Sequence, residues 1–324
     1  MNDIERFANV FEGIIPYEGT PPKGFLVDFL GTLTDSNFRI AFGGDPNHDG
    51  GRYVKTTVPT IRDGELWFEA VNWVEAARAA RGRYVMVTLG ACYGAQAVGS
   101  QRALQALNPM PHKLVSVEAD PENNLWLEKH YRDNGIDPKE QWLVRVAIGD
   151  SNQPIFFPIG SPGSGAQNGY STNEYGAREN YFREFVQSGR AEEALRALLL
   201  DNTTGLKKDL VPGMGFEAEI KMVSAVTLVD VLGPFDVVDY VEADIQQSEI
   251  VVFPRQMDVM NRKVRRSHIG THGGDVHRQL VDLFVGNDWE IVFDYAPNSQ
   301  FSTPLGDFAT NDGVLTAINP RLNT

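Results

Sequence analysis

Apolar positions change their rhythm near residue 63. Before that point the chain is rich in Gly, Pro and Asp, and its apolar runs are short. Phe25-Leu-Val-Asp-Phe-Leu30 reads as a strand and Asn37-Phe-Arg-Ile-Ala-Phe42 as a second, with a turn cluster from Pro46 to Gly51. From Asp63 the apolar residues recur at helical spacing, and Leu66, Val71, Val74 and Ala77 share one face of a helix of about four turns. Strand-like and helix-like runs then alternate. The order is strand Tyr84–Leu89, helix Ala95–Leu107, strand Lys113–Glu118, helix Pro121–Asn134 and strand Trp142–Ile148. Asp120 supplies a cap for the second of these helices, and Pro121 fits its first turn, where a missing N–H costs nothing.

The alternation stops from Asp150 to about Gly215. This stretch holds SPGSGAQNGYSTNEYG, a predicted helix around Tyr181–Leu200 and the loop VPGMG. Connections of such length tend to be functional lids. Alternation resumes with strand Ile220–Val223, helix Leu228–Leu232, strand Val237–Ala243, helix Ser248–Met260, strand Val264–Ile269 and helix Asp275–Val285. Two last strands, Trp289–Tyr295 and Val314–Ile318, have no helix between them and are expected to run antiparallel. Apolar strands alternating with helices give a parallel sheet covered on both faces. The predicted fold class is therefore α/β, a Rossmann-like doubly wound sheet, mostly parallel with a C-terminal antiparallel strand pair. Residues 1–62 are expected to form an N-terminal extension or cap and 63–324 the main domain, with 150–219 an insertion that is a candidate lid or, alternatively, a surface excursion with a helix packed on the core.

Composition narrows the partners. The 324 residues are 42% hydrophobic and 22% charged, an ordinary globular balance. A net charge of −14 repels phosphate backbones and anionic headgroups, which argues against nucleic acid and membrane surfaces as partners. The one basic run, Arg262-Lys-Val-Arg-Arg266, reads as a solvated strand edge. Cys92 is the only cysteine, so no intramolecular disulfide can form. No run reaches the ~18 apolar residues of a membrane span. The start MNDIERFANVFEG lacks the basic and apolar regions of a secretory signal. The expected location is cytoplasmic.

Ligands of doubly wound sheets sit beyond the carboxyl ends of the strands. There the chain carries Gly90-Ala91-Cys92-Tyr93-Gly94, either a cradle for a nucleotide-like cofactor or a tight packing corner. Cys92 reads as a small filler within it. Glu118, in VSVEADP, ends the second strand, where an acid can accept both hydroxyls of a ribose. Loop and acid together point to an adenosine-type cofactor. The spacing G-x-x-x-G, in place of G-x-G-x-x-G, disfavours a dinucleotide and leaves S-adenosylmethionine. Ala147 and Ile148, at the end of the third strand, could flank an adenine. Asp244 and Glu249 form a carboxylate pair suited to proton abstraction or metal binding, although Glu249 behind a Ser248 cap also suits a helix start. Three of the six histidines fall in His268-Ile-Gly-Thr-His272-Gly-Gly-Asp-Val-His277. The glycines exclude helical metal-ligand spacing there. His272 is a candidate general base, with a structural hydrogen-bonding role as the alternative.

These residues resemble the FkbM family of S-adenosylmethionine-dependent methyltransferases, over roughly Glu65 to Pro320. The matching motifs are Thr88-Leu89-Gly90-Ala91-Cys92-Tyr93-Gly94, Val117-Glu118-Ala119-Asp120-Pro121, Ala147 to Asp150, and Asp244-Ile-Gln-Gln-Ser-Glu249. The tail segments HIGTH and DGVLTAINP resemble one subgroup. The resemblance implies cofactor contacts from Thr88, Gly90, Ala91, Cys92, Tyr93, Gly94, Glu118, Ala119, Ala147, Ile148 and Asp244. It implies catalytic roles around Asp244, Glu249 and His272, and assigns no metal. The implied reaction is methyl transfer to a hydroxyl of a sugar or polyketide-like small molecule, with Tyr170, Tyr175 and Tyr181 of the insertion as the acceptor wall. Thr88 stands where the family has an acid, and Gln246 and Gln247 replace a Glu and a Gly. These departures keep a second reading open, a non-catalytic S-adenosylmethionine-binding sensor or partner subunit. A nicotinamide oxidoreductase would need the G-x-G-x-x-G that is missing. The N-terminal extension could contribute to a homodimer.

Overall fold

The computed structural model describes residues 4–41, 50–160, 206–207, 218–246 and 248–322. The predicted Tyr181–Leu200 helix, the tyrosines of the insertion, the VPGMG loop and Gln247 lie outside the described residues. A seven-stranded sheet forms the centre. Its strands are β1 (Tyr84–Leu89), β2 (His112–Val117), β3 (Trp142–Val144), β4 (Val238–Ala243), β5 (Val264–Thr271), β6 (Glu290–Tyr295) and β7 (Gly313–Ile318). Their spatial order is β3-β2-β1-β4-β5-β7-β6. The first five pair in parallel, and β7 runs antiparallel between β5 and β6. The strand order reverses between β1 and β4, which is the switch point where a ligand crevice opens.

Burial follows from that position. Every residue of β1 and of β4 is buried, because both faces of these strands are covered by helices. On one side lie α1 (Glu65–Ala79) and α2 (Ala95–Leu107), whose Trp73 and Gly99 meet closely enough that a Cβ at Gly99 would sit 2.6 Å from the indole. α3 (Pro121–Asp133) starts as expected, with Asp120 accepting from the amides of Glu122 and Asn123. On the other side lie α4 (Leu228–Leu232), α5 (Glu249–Val252), α6 (Met257–Lys263) and α7 (Gly274–Gly286). The N-terminal Ile4, Phe7, Val10, Ile14 and Phe29 belong to the same core cluster as α1 and the sheet, with the Phe7 and Phe293 rings 5.0 Å apart. No helix among the described residues is long and apolar enough to cross a membrane.

Several sequence expectations need correction. Asn37–Phe42 is not a strand: Ser36–Ala41 is a short helix, begun where Asp35 accepts from the Asn37 amide. Trp142–Ile148 is not one strand. It turns after Val144, and Ala147–Ile148 pairs separately with Ala225–Val226. Ser248–Met260 is two short helices, broken around Phe253-Pro254, where proline lacks a donor and disfavours helix in the residue before it. Leu66 is 46% exposed, and Trp67, Phe68, Val71 and Val74 form the buried face of α1 instead.

Candidate functional site

Three loops meet above the switch point, after β1, β2 and β4. Gly90 has a left-handed backbone (φ 76°), and a Cβ there would lie 2.0 Å from the carbonyl oxygen of Asp244. Only glycine lets the first loop approach the third so closely. A Cβ at Gly94 would lie 2.4 Å from Leu127 of α3. Both glycines are therefore required by packing, whatever they hold. Glu118 ties the second loop to the first. Its two oxygens accept from the amides of Cys92 (2.6 Å) and Asp120 (2.7 Å). Burial outweighs these bonds and raises its pKa to about 8. Each carboxylate oxygen has two lone pairs, so one on each is not taken by these amides.

Backbone strain concentrates here. Among the described residues, four non-glycine residues have positive φ: Cys92 (49°), Gln246 (55°), Asp288 and Asn298. Asp and Asn tolerate that conformation, whereas Cys and Gln do so at a cost of about 1–2 kcal/mol each. The two costly ones sit in the loops after β1 and β4. Strain of this kind clusters at ligand sites.

The loop after β5 brings His272 among acids. Its Nε2 lies 3.4 Å from Asp244 Oδ1 and 3.5 Å from Asp312 Oδ1, and its Nδ1 lies 3.5 Å from Glu249 Oε1. These are ion-pair contacts, not aligned hydrogen bonds, since neither ring nitrogen has a hydrogen-bond partner. Burial would lower the His272 pKa, but the contact with Glu249 and the charges of Asp244, Glu249 and Asp312 outweigh it and raise it to about 9. At neutral pH the ring is a cation, so the general-base role expected for it does not follow. The Asp244 pKa rises as well: burial, opposed by His272 and reinforced by Glu249, takes it to about 7. Yet 45% of its side chain remains reachable. The carboxyl is thus walled in by protein on one side and open to solvent on the other. Gln246 donates to Asp244 Oδ1 at 2.8 Å. Glu249 is fully buried, and its Oε1 accepts from the Ile245 amide at 3.0 Å. Ser248 makes no side-chain cap bond, so a simple capped helix start is not the arrangement.

The other two histidines of that segment are structural. His268 is buried between Asn72 and Thr316, and burial lowers its pKa to about 3. His277 bridges Thr271 and Asp294 at 2.8 Å each. Thr88 lies wholly buried inside β1 with its hydroxyl unpartnered. Ala147 packs with Ala225 and Ala119 beside the Glu118 loop, and Ile148 joins the core below. The Tyr93 ring turns to Phe38 (centroids 4.2 Å apart) and accepts from His130 Nδ1 through its backbone carbonyl. Sequence reasoning missed three acids. Glu65 accepts from the amides of Asn311 and Asp312. Glu69 is bonded to Gln96 at the start of α2, and burial and Glu65 raise its pKa to about 8. Asp312 precedes β7. Glu65 and Glu69 stand four apart on α1, a spacing that places both on one helix face and that could have flagged them.

No protein-family model matches the chain, and no curated protein matches it in sequence. Among solved structures, the FkbM methyltransferase of Methylobacillus flagellatus KT is 12% identical, with a TM-score of 0.38, over 78% of this chain and 53% of its own. The O-methyltransferase of Bacillus cereus, in complex with SAH, is 8% identical, with a TM-score of 0.38, over 88% of this chain and 91% of its own. The precorrin-6y C5,15-methyltransferase of Geobacter metallireducens GS-15 is 9% identical, with a TM-score of 0.38, over 77% and 86%. Values this low transfer neither substrates nor residue roles to this chain.

Proposed function

We propose that this chain is an S-adenosylmethionine-dependent methyltransferase acting on a hydroxyl of a sugar or another small molecule. The observation that carries the reading is the meeting of the Gly90–Gly94 loop, Glu118 and Asp244 at the switch point of the sheet. The lone pairs of Glu118 left over by the Cys92 and Asp120 amides and the Asn123 side chain suit a ribose hydroxyl. Ala119, half-buried beside Glu118, offers apolar surface for the adenine, with the buried Ala147 and Ile148 behind it. Thr88 is neutral and cannot oppose the methionine ammonium; Glu69 and Asp244, raised by burial to about 8 and about 7, would ionise beside that cation and oppose it in Thr88's place. When bound, the cofactor supplies an electrophilic methyl group on a sulfonium.

The chain's own task is to orient the acceptor and take its proton. Asp244, with a pKa of about 7, is poised in the range where a general base works best near neutrality. The His272 cation holds Asp244 and Asp312 in place, so it is a positioning residue in this scheme. A non-catalytic binder is the second reading, and one observation favours it: Glu118 already serves two amides and is only 4% exposed.

Calorimetric titration with S-adenosylmethionine and S-adenosylhomocysteine, with NAD as control and Glu118→Ala beside the parent, tests the reading. Micromolar binding that weakens at least tenfold in the variant supports it. A folded parent that binds neither ligand, or binds NAD instead, overturns it. Turnover on any hydroxylated acceptor removes the non-catalytic reading.

A further inference from the structure

At the end of the sheet opposite the switch point, arginines gather. The basic run Arg262–Arg266 is not the solvated strand edge its sequence suggests. It leads into β5, which is flanked by β4 and β7, and Arg266 is only 8% exposed. A guanidinium has five N–H donors, and a buried one is expected to place them on close partners. Arg266 makes one hydrogen bond, from Nη1 to Asn72 Oδ1 at 2.9 Å. The carboxylate facing it, Glu75, stays at 3.8 Å, too far for a hydrogen bond. Burial lowers the Arg266 pKa, but an arginine in a protein keeps its charge. This under-partnered cation lines two hollows of about 460 and 380 Å³, the size of small-molecule sites. In the larger, Arg6 and Arg78 stand beside it, against Glu75 and Glu290. The ion pairs there are long, Arg6–Glu290 at 3.4 Å and Arg78–Glu75 at 3.7 Å, and the two arginine side chains are 40% and 36% exposed. In the smaller, Arg265 pairs with Asp239 at 2.9 Å and its Nε is buried without a partner. A proton taken up by any of these acids only enlarges the positive excess.

We propose that the hollow between Arg6, Arg78 and Arg266 is a second ligand site, which binds the phosphate group of a small molecule. Guanidinium forks take phosphate oxygens in pairs. A carboxylate would match Glu75 charge for charge and gain little, whereas a phosphate monoester carries about −1.5 to −2 near neutrality and can displace it from Arg78 and Arg266. The net charge of −14 still disfavours a long polyanion, but salt screens that repulsion beyond about 8 Å, so a small anion can enter. The site is independent of the methyltransferase reading, since none of its residues belongs to the loops above the switch point.

The test titrates inorganic phosphate, glucose 6-phosphate and uncharged glucose calorimetrically into the full chain, at constant ionic strength and without sulfate. Saturable binding of either phosphate, with none of glucose, is expected. Equal affinity for the two identifies the free ion as the ligand, and tighter binding of the ester identifies a phosphate-bearing molecule. Arg6→Gln, at a half-exposed side chain, should weaken binding about tenfold, as should Arg266→Lys, which keeps the charge and loses the fork. Glu75→Gln removes the competing acid and should tighten binding at least threefold. Arg145→Gln, just after β3 at the far edge of the sheet, removes one surface charge whose side chain is 55% exposed and should change nothing. If Arg266→Lys fails to fold, the Arg6 and Glu75 variants still decide. No saturable binding of either phosphate, equal loss in Arg6→Gln and Arg145→Gln, or weaker binding in Glu75→Gln overturns the proposal.

Discussion

Replacing Gly90 by alanine should damage both the fold and the site, and the structure sets the size of the effect. The added Cβ would stand 2.0 Å from the carbonyl oxygen of Asp244 and 3.3 Å from Ile245 Cγ2. An ordinary contact with that oxygen needs more than 3 Å, so one loop must move by over an ångström. Forced overpacking of this kind costs about 1–3 kcal/mol. The left-handed backbone at φ 76° adds about 1–2 kcal/mol for any L side chain. Gly135 is the internal reference. Its φ is 74°, nearly the same, but a Cβ there would meet nothing within 4 Å. Gly135→Ala therefore carries the same backbone cost and the same gain from a stiffer unfolded chain, and the difference between the two variants isolates the clash. At ~2.1 cal/mol/K per residue, a chain of 324 residues loses about 1.5 °C of melting temperature per kcal/mol. Gly90→Ala should thus melt about 1.5–5 °C below Gly135→Ala by circular dichroism. Because the clash is with Asp244 itself, S-adenosylmethionine affinity should also fall at least tenfold in Gly90→Ala and not in Gly135→Ala. Equal melting temperatures would refute the steric argument. A lower melting temperature with unchanged affinity would refute the link between this corner and the ligand.

Two other outcomes follow from the packing and the charges. The folded-state pKa of His272 is raised to about 9, so the stabilisation its cation draws from the surrounding acids is complete on the histidine side below pH ~6.5 and vanishes as the pH rises through 9, while its pair with Asp244 also needs a pH above about 7. Unfolding free energies of the parent and His272→Gln from urea titrations should differ most near pH 6–7, by a few kcal/mol at most, and converge by about pH 10; a gap that keeps widening above pH 8 contradicts the assignment. Gly99→Ala should cost about 1–3 kcal/mol, because the new Cβ would lie 2.6 Å from the Trp73 ring at the crossing of α1 and α2, and thermal melts with Trp73→Phe in the same background should recover part of the loss.

How much could be read in advance depended on what each pattern encodes. The strands of the sheet were legible because burial on both faces leaves nearly continuous apolar runs, as in Tyr84–Leu89 and Val238–Ala243. α4 was legible because Leu228–Leu232 is a short apolar run closed by Gly233, and Thr227 and Asp230 form a capping box in front of it. Asn37–Phe42 failed because its apolar alternation matches a strand, while the Asp35 side chain starts a helix through the Asn37 amide. Ser248–Met260 failed because its period continues past a proline that the backbone cannot ignore. In the site, the loop and Glu118 were visible as a strand-end pair. The acids Glu65, Glu69 and Asp312 were not, since helix carboxylates at that spacing look like a solvated face and Asp312 lies far along the chain from its partners. Only the tertiary fold brings Glu65 and Asp312 to His272.

The distinction between a ligand cradle and a packing corner loses its force once the contacts are traced. Gly90 is glycine because the Asp244 carbonyl presses on it, and Cys92 holds a left-handed backbone whose amide is fixed by Glu118. Gln246 holds the same strained region and donates to Asp244. A loop that served packing alone would gain nothing from a strained, non-glycine residue on each side of the switch point. A loose cradle would not need both its glycines sterically locked. The arrangement is one rigid frame in which the contacts that set the backbone also aim Glu118 and Asp244 before any ligand arrives. Preorganisation of this kind spares the ligand the cost of ordering its site. It also predicts where tolerance ends: substitutions on the outer faces of the loops should be mild, and those between Gly90 and Asp244 should change fold and binding together.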